Sequence, residues 1–301
     1  MTISNLAEAL ESGRFVVTTE IGPPKDCNPG KIREKAELLR GSGVAFNITD
    51  NQTAVTRMSS LAGSILLLQM GMEPIMQMTC RDRNRIGLQS DVLGAAALGV
   101  RNILCLTGDA PSFGNHPQAK GVFDVDAVQL LHIISDMTGK GVFQSGDRLS
   151  GPCPQLCLGA AANPFAEPLE LQLMRLEKKV DAGAVFVQTQ SIYNLERFTR
   201  WLDSVREAGL DRRVRILAGV TPLKSVKMAQ RMKFHVPGTD VPDAVYERIV
   251  HAADPAEEGY RLAVETIEAL REVRGIHGIH ITALFWESII PQLVRETGLV
   301  P

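Results

Sequence analysis

Short apolar runs alternate along the chain with longer stretches whose apolar residues recur every three to four positions. The runs lie at residues 15–21, 44–50, 73–79, 102–107, 155–162, 184–190, 214–220 and 276–284. Their length and content of Val, Ile and Thr predict strands. The longer spacing predicts helices near 29–39, 58–70, 84–98, 126–137, 168–181, 194–208, from 223, 243–251, 256–274 and 287–296. Turn residues agree with these limits: Gly22-Pro23-Pro24 closes the first run, and Gly41 and Gly43 stop the first helix. Eight strands, each followed by helix, imply parallel pairing through right-handed crossovers. The α/β architecture expected is a (β/α)8 TIM barrel, one domain over residues 1–301 with an extra helix before the eighth strand. An open doubly wound sheet competes, but Gly22-Pro23-Pro24-Lys25 is not the glycine fingerprint that such a sheet carries after its first strand.

Composition narrows the function classes. A net charge of −2 offers no basic surplus for nucleic acid or an anionic membrane surface. Two Trp, three Tyr and ten Phe are too few for a surface built from base-stacking rings. No apolar segment reaches the roughly 20 residues that span a bilayer. Residues 1–12 carry Glu8 and Glu11 rather than a basic stretch and an apolar core, so a cytoplasmic protein without a signal peptide is expected. Five cysteines in or beside apolar runs fit a reducing compartment. The one close pair, Cys153 and Cys157, lacks a second pair to complete a zinc site, and the six histidines show no ligand spacing. His277 and His280, three apart on a strand, face opposite ways. No metal site is expected.

Side chains alternate along a strand, and barrel active sites sit at the C-terminal strand ends. Thr18 and Glu20 share a face of strand one, Asn47 and Thr49 of strand two, Gln77 and Thr79 of strand three, and Gln188 and Gln190 of strand six. Thr107 and Asp109 follow strand four, opposed by Leu104 and Leu106. Each alone has an ordinary explanation: a strand-end Glu bonds loops, and Thr107-Gly108-Asp109 suits a turn. Polar residues on one face of five strands, at the same end, describe a polar pocket with two carboxylates. Arg81, Arg83 and Arg85 follow strand three and suit an anion, with internal pairing to Asp82 as the balanced alternative.

Six blocks in order then carry a resemblance. They are Glu20-Ile21-Gly22-Pro23-Pro24; Thr79-Cys80 with Asp82; Thr107-Gly108-Asp109-Ala110-Pro111; Val122-Phe123-Asp124-Val125-Asp126; Lys179-Val180-Asp181-Ala182-Gly183-Ala184; and Thr189-Gln190. With them the chain resembles the methylenetetrahydrofolate reductases from about residue 15 to 298. The resemblance implies a flavin-bearing barrel that interconverts 5,10-methylenetetrahydrofolate and 5-methyltetrahydrofolate by hydride transfer. It implies Glu20 as general acid, Asp109 as the carboxylate beside flavin and pterin, and Gln190 as a pterin-binding residue. The flavin shell implied comprises Thr49, Gln77, Thr107, Gly108, Asp109, Phe123, Asp124, Asn163, Glu167, Arg175 and Lys179.

Several positions depart from the family's usual residues. Gln77 stands where histidine is common, Thr107 where arginine is, and Asn163 where tyrosine is; FMN and FAD are both compatible, with Arg81, Arg83 or Arg85 available for a terminal phosphate. Met232 replaces a phenylalanine that packs on the nicotinamide, and Trp286 replaces an arginine. The donor implied is either NAD(P)H or, as for some short members of the family, a zinc- and iron–sulfur-bearing electron-transfer subunit, and an oligomer is expected. Two other readings compete: a pterin-dependent methyltransferase barrel without flavin, and a non-catalytic folate-binding or scaffold subunit of a redox complex.

Overall fold

In the computed structural model, which describes residues 3–299, eight parallel strands close into a barrel in sequence order. They are β1 (Val16–Ile21), β2 (Ala45–Ile48), β3 (Pro74–Thr79), β4 (Asn102–Leu106), β5 (Cys157–Ala162), β6 (Phe186–Ser191), β7 (Arg215–Val220) and β8 (Gly278–Ile281). The chain begins with helix α1 (Asn5–Glu11), and the outer ring contains α2 (Pro29–Leu39), α3 (Ser60–Gln69), α4 (Arg85–Ala97), α5 (Ala127–Gly139), α6 (Leu169–Asp181) and α7 (Leu195–Glu207). It continues through α8 (Val226–His235), α9 (Asp243–His251), α10 (Pro255–Arg271) and α11 (Ile290–Glu296). The expected barrel is thus present, and α9 is the extra helix before the eighth strand. Polar caps start most ring helices: Asn28, Ser59, Asn84, Asp126, Asn194, Ser225 and Asp254 each accept a first-turn N–H.

Strand alternation separates two cores. The outward row, including Val17, Ile48, Met76, Met78, Ile103, Val187, Ile216 and Ile279, packs beneath the helices. The inward row, Val16, Ala45, Ile75, Leu104, Cys157, Phe186 and Leu217, packs with Leu6, Ala7, Ala9 and Leu10 of α1. Helix α1 therefore plugs the N-terminal end of the barrel. Seven residues are too few to hold a helix alone. The Glu73 carboxylate supplies an anchor, accepting the N–H groups of Asn5 and Leu6 at 2.8 and 2.9 Å, where the helix dipole favours an anion. Asn102 donates to the same carboxylate and accepts from the Ser4 hydroxyl. Sequence reading took residues 1–12 only as a test for a leader and missed this element. Its signal was Ser4 as cap with Leu6, Ala9 and Leu10 on one face.

Glycine makes room for the largest interior ring. A Cβ on Gly159 of β5 would stand 2.2 Å from the Phe186 ring of neighbouring β6, so the ring fills the space that the glycine leaves. Burial pushes the thiols of Cys80 and Cys157 up to about 12, so they stay protonated and serve as packing groups. Among the described residues no helix is long and apolar enough to cross a membrane, and no three His, Cys, Asp or Glu side chains are grouped to hold a metal ion.

The plug gives a stability prediction. Leu6 is wholly buried, so Leu6→Ala should cost about 2–5 kcal/mol in urea unfolding. Leu98→Ala, at a position 57% exposed, should stay within about 0.5 kcal/mol of the parent. Equal effects of the two would contradict the plug.

Candidate functional site

Above the plug the barrel interior turns polar. Thr18 and Glu20 of β1, Asn47 of β2, Gln77 of β3, Gln188 of β6 and His280 of β8 belong to the inward rows. They form one connected network. Gln77 Nε2 donates to Glu20 Oε2 at 3.3 Å and reaches Asn47 Oδ1 at 3.5 Å. Asn47 Nδ2 donates to the Thr19 carbonyl at 3.4 Å. Gln188 Nε2 donates to Thr18 Oγ1 at 3.3 Å, and Thr18 Oγ1 lies 3.0 Å from His280 Nδ1. His280 Nε2 lies 3.2 Å from Thr282 Oγ1 and 4.0 Å from Glu20 Oε2. Buried polar groups survive in such a place because they satisfy one another.

Glu20 stands at the C-terminal end of β1 with its side chain 16% exposed. Burial raises its pKa from 4.5 to about 7; the Gln77 bond opposes the rise, nearby Glu287 adds to it, and Lys35 opposes it. Lys35 is itself bound to Glu287, which limits its pull on Glu20. Burial also lowers His280 to about 4, so the imidazole beside Glu20 is neutral at physiological pH. Glu20 is therefore a carboxyl group balanced between acid and carboxylate near neutrality, the condition for general acid catalysis.

The other residues singled out by sequence lie around the C-terminal rim. Asp109 is exposed in the loop after β4, its backbone carbonyl accepting from Arg81. Gln190 is exposed at the end of β6, where the register with β7 slips between Gln188 and Ser191. The Thr189 hydroxyl bridges that bulge, donating to the Gln190 carbonyl and accepting from Gly219 N–H, each at 2.9 Å. Bulges re-aim strand-end side chains, which simple parity cannot foresee. No side-chain hydrogen bond joins Glu20, Asp109 and Gln190; they share the rim.

On β4 the parity reading is corrected. Leu104 and Leu106 belong with the interior cluster, and Thr107 lies beyond the strand, its hydroxyl accepting from Ala127 N–H at the start of α5. Thr107 is a helix-entry residue rather than part of an inward polar face. Gly108, at φ +92°, is required where it stands: a Cβ there would lie 3.1 Å from both the Arg81 and Thr79 Cβ atoms. Phe123 also has a positive φ of 42°, its N–H bound to the Cys80 carbonyl, which pins this loop over the end of β3.

The arginine cluster proves to be internally paired. Arg81 is bidentate to Asp82 at 2.7 and 2.8 Å, Arg83 binds Asp50 and Asp91, and Arg85 binds Asp124. Their place as takers of a terminal phosphate is therefore filled by carboxylates. Asp124 is held by the Arg85 side chain and backbone N–H, which keep it down at about 2. Thr49 bonds Gln52, Asn163 accepts from Phe165 N–H, and Glu167 pairs with Arg197. Lys179 and Arg175 differ from these. Lys179 donates only to the Ala161 carbonyl at 2.7 Å, and burial together with Arg175 lowers its pKa. Two cations one helical turn apart, with no carboxylate bound to either among the described residues, are suited to an anion.

Met232, on α8, is buried with Leu223, Ala229, Val241 and Ile249. Trp286 has the Lys224 ammonium 5.9 Å from its ring centre. Sequence reading overlooked His280 as a site residue, weighing it only as a metal ligand. Its inward parity with Gly278 was the available signal.

The family model described as methylenetetrahydrofolate reductase matches residues 5–298. Methylenetetrahydrofolate reductase 2 of Schizosaccharomyces pombe is 26% identical over 325 aligned positions, covering 100% of this chain and 48% of the relative. A probable methylenetetrahydrofolate reductase (NADPH) of Caenorhabditis elegans is 27% identical, covering 93% of this chain and 42% of the relative. The chain thus spans about half the length of these relatives, or less. The 5,10-methylenetetrahydrofolate reductase of Escherichia coli is 25% identical, with 77% of this chain and 72% of the relative covered. In structure, a Clostridium thermocellum protein that binds two copies of 5-methyl-5,6,7,8-tetrahydrofolic acid shares the fold, with TM-score 0.72, 16% identity and coverage of 98% and 99% of the two chains. On the family match across nearly its whole length, the chain belongs to the methylenetetrahydrofolate reductase family.

Proposed function

We propose that the chain, residues 1–301 acting as one barrel, reduces 5,10-methylenetetrahydrofolate to 5-methyltetrahydrofolate with Glu20 as the general acid. The observation that carries this reading is Glu20 itself, a carboxyl at the rim whose burial raises its pKa to about 7. Family membership supports the reaction, and the fold shared with a protein that binds methyltetrahydrofolate supports the substrate class.

The residues also fit a flavin. Lys179 and Arg175 offer positive charge without a bound carboxylate, suited to a nucleotide phosphate, and Gly108 keeps the loop after β4 free of a side chain. A bound flavin, FMN or FAD, would supply the hydride. Glu20 donates its proton to the amine nitrogen that leaves as the methylene bridge opens to an iminium. Gln77 holds the Glu20 carboxyl in place by its 3.3 Å bond. Asp109 and Gln190, exposed on the same rim, bind the polar edge of the pterin. With Met232 and Trp286 standing where the family's usual phenylalanine and arginine would be, the donor side favours an electron-transfer partner protein over NAD(P)H.

Four outcomes follow. Glu20→Gln should retain bound flavin yet lose methylenetetrahydrofolate turnover by at least about a hundredfold; near-normal turnover contradicts the assignment. In the parent, kcat/KM for the folate should be high below pH 7 and fall above it, because the acid must carry its proton and its pKa is about 7. Stability follows the same sign: the folded state binds this proton more tightly than the unfolded chain, so the contribution is full below about 4.5 and is lost as pH rises through about 7. Glu20→Gln should therefore gain on the parent by as much as roughly 3 kcal/mol between acid and alkaline urea titrations. Finally, the flavin-loaded protein alone should oxidise NADH slowly in a stopped-flow assay; rapid oxidation contradicts the partner.

A further inference from the structure

We propose that His280 is a positioning residue for Glu20: the polar barrel interior locks its neutral imidazole with the proton on Nε2, the nitrogen that faces the carboxyl. The inference rests on the reading of Glu20 as the general acid and adds what holds that acid ready.

The direction of each hydrogen bond fixes the tautomer. The Thr19 backbone carbonyl can only accept, so the Asn47 amide turns its Nδ2 toward it. That same Nδ2 is 3.5 Å from His280 Nδ1, which must therefore accept. Thr18 leads to the same answer. Its hydroxyl accepts from Gln188 Nε2 and retains one proton to donate, and His280 Nδ1 is 3.0 Å away. With two donors on Nδ1, a neutral ring carries its hydrogen on Nε2. Nε2–H then donates to Thr282 Oγ1 at 3.2 Å and faces Glu20 Oε2 at 4.0 Å. His280 is 6% exposed, so solvent does not replace this donor.

The arrangement acts when Glu20 gives up its proton. The carboxylate then formed gains a nearby N–H dipole and a short path to a hydrogen bond, beside the one from Gln77. Hydrogen bonds to the charged form favour it, so His280 makes Glu20 a better acid without adding a positive charge that would strip its proton beforehand. The charged groups that face Glu20 from other elements are Glu287, before α11, and Lys35, on α2, and they are bound to each other. No proton transfer to His280 is needed.

Two substitutions separate positioning from packing. His280→Asn keeps an acceptor for Thr18 and Asn47, so the network that folds the barrel remains, but its shorter amide places no donor at the position of Nε2. His280→Gln carries an amide out to the position of Nε2. The Glu20 carboxyl is followed by infrared difference spectroscopy on the whole protein, with Glu20→Gln assigning the band, alongside the pH profile of folate turnover. For His280→Asn the carboxyl titration should move up by about one pH unit, the descending limb of the rate profile should move with it, and the low-pH rate should fall roughly tenfold. His280→Gln should return both toward the parent. An unmoved Glu20 titration in His280→Asn overturns the inference whatever the rate does. A titration that moves while the rate profile stays fixed retains the hold of His280 on Glu20 and overturns the general-acid reading instead.

Discussion

Keeping one carboxyl group largely out of water, without a full positive charge bound to it, is the constraint on which the rest of the site depends. Glu20 has a neutral amide as its bonded partner and a neutral imidazole 4.0 Å away, while Lys35 is bound to Glu287. Had an arginine or lysine been bound directly to Glu20, its carboxylate would be fixed in the ionised form. The neutral surroundings instead leave the proton in place near neutrality and available for transfer. A barrel interior can do this because five of its strands, β1, β2, β3, β6 and β8, deliver polar side chains close enough to satisfy one another.

The polar level stands on an apolar one. Leu6, Leu10 and the inward row from Val16 to Leu217 close the opposite end. Glu73 ties α1 to that end through its first N–H groups. Function and stability are thereby divided along the barrel axis: apolar packing below, a hydrogen-bonded network in the middle, and loops that present Asp109 and Gln190 above. The arginines after β3 belong to this framework. Paired with Asp50, Asp82, Asp91 and Asp124, they stitch the loops after β2, β3 and β4 together.

Much of the fold was legible in the sequence because strands and helices differ in period, and α9 was read at its observed limits. Glu20, Gln77 and Gln188 were placed on their inward faces by alternation alone. Four features escaped that reading for physical reasons. Helix α1 is too short to show a period, and its stability comes from contacts distant in sequence. The bulge at Thr189–Gln190 inserts a residue that parity cannot detect, and β4 ends before Thr107, so alternation no longer applies there. The pairing of Arg83 with Asp50, thirty-three positions apart, is a tertiary contact that no local spacing announces. His280 was legible by parity, but a lone histidine has too many ordinary uses to be singled out without its neighbours.

The site turns on the protonation of one side chain, which can be observed directly. Carboxyl-labelled glutamate followed by 13C NMR in the whole protein, from about pH 4 to 9 and assigned with Glu20→Gln, reads that titration without any substrate. The Glu20 resonance should stay at its protonated position through mildly acid pH and titrate near 7. A Glu20 resonance that titrates with the exposed glutamates, near their ordinary 4.5, would contradict it.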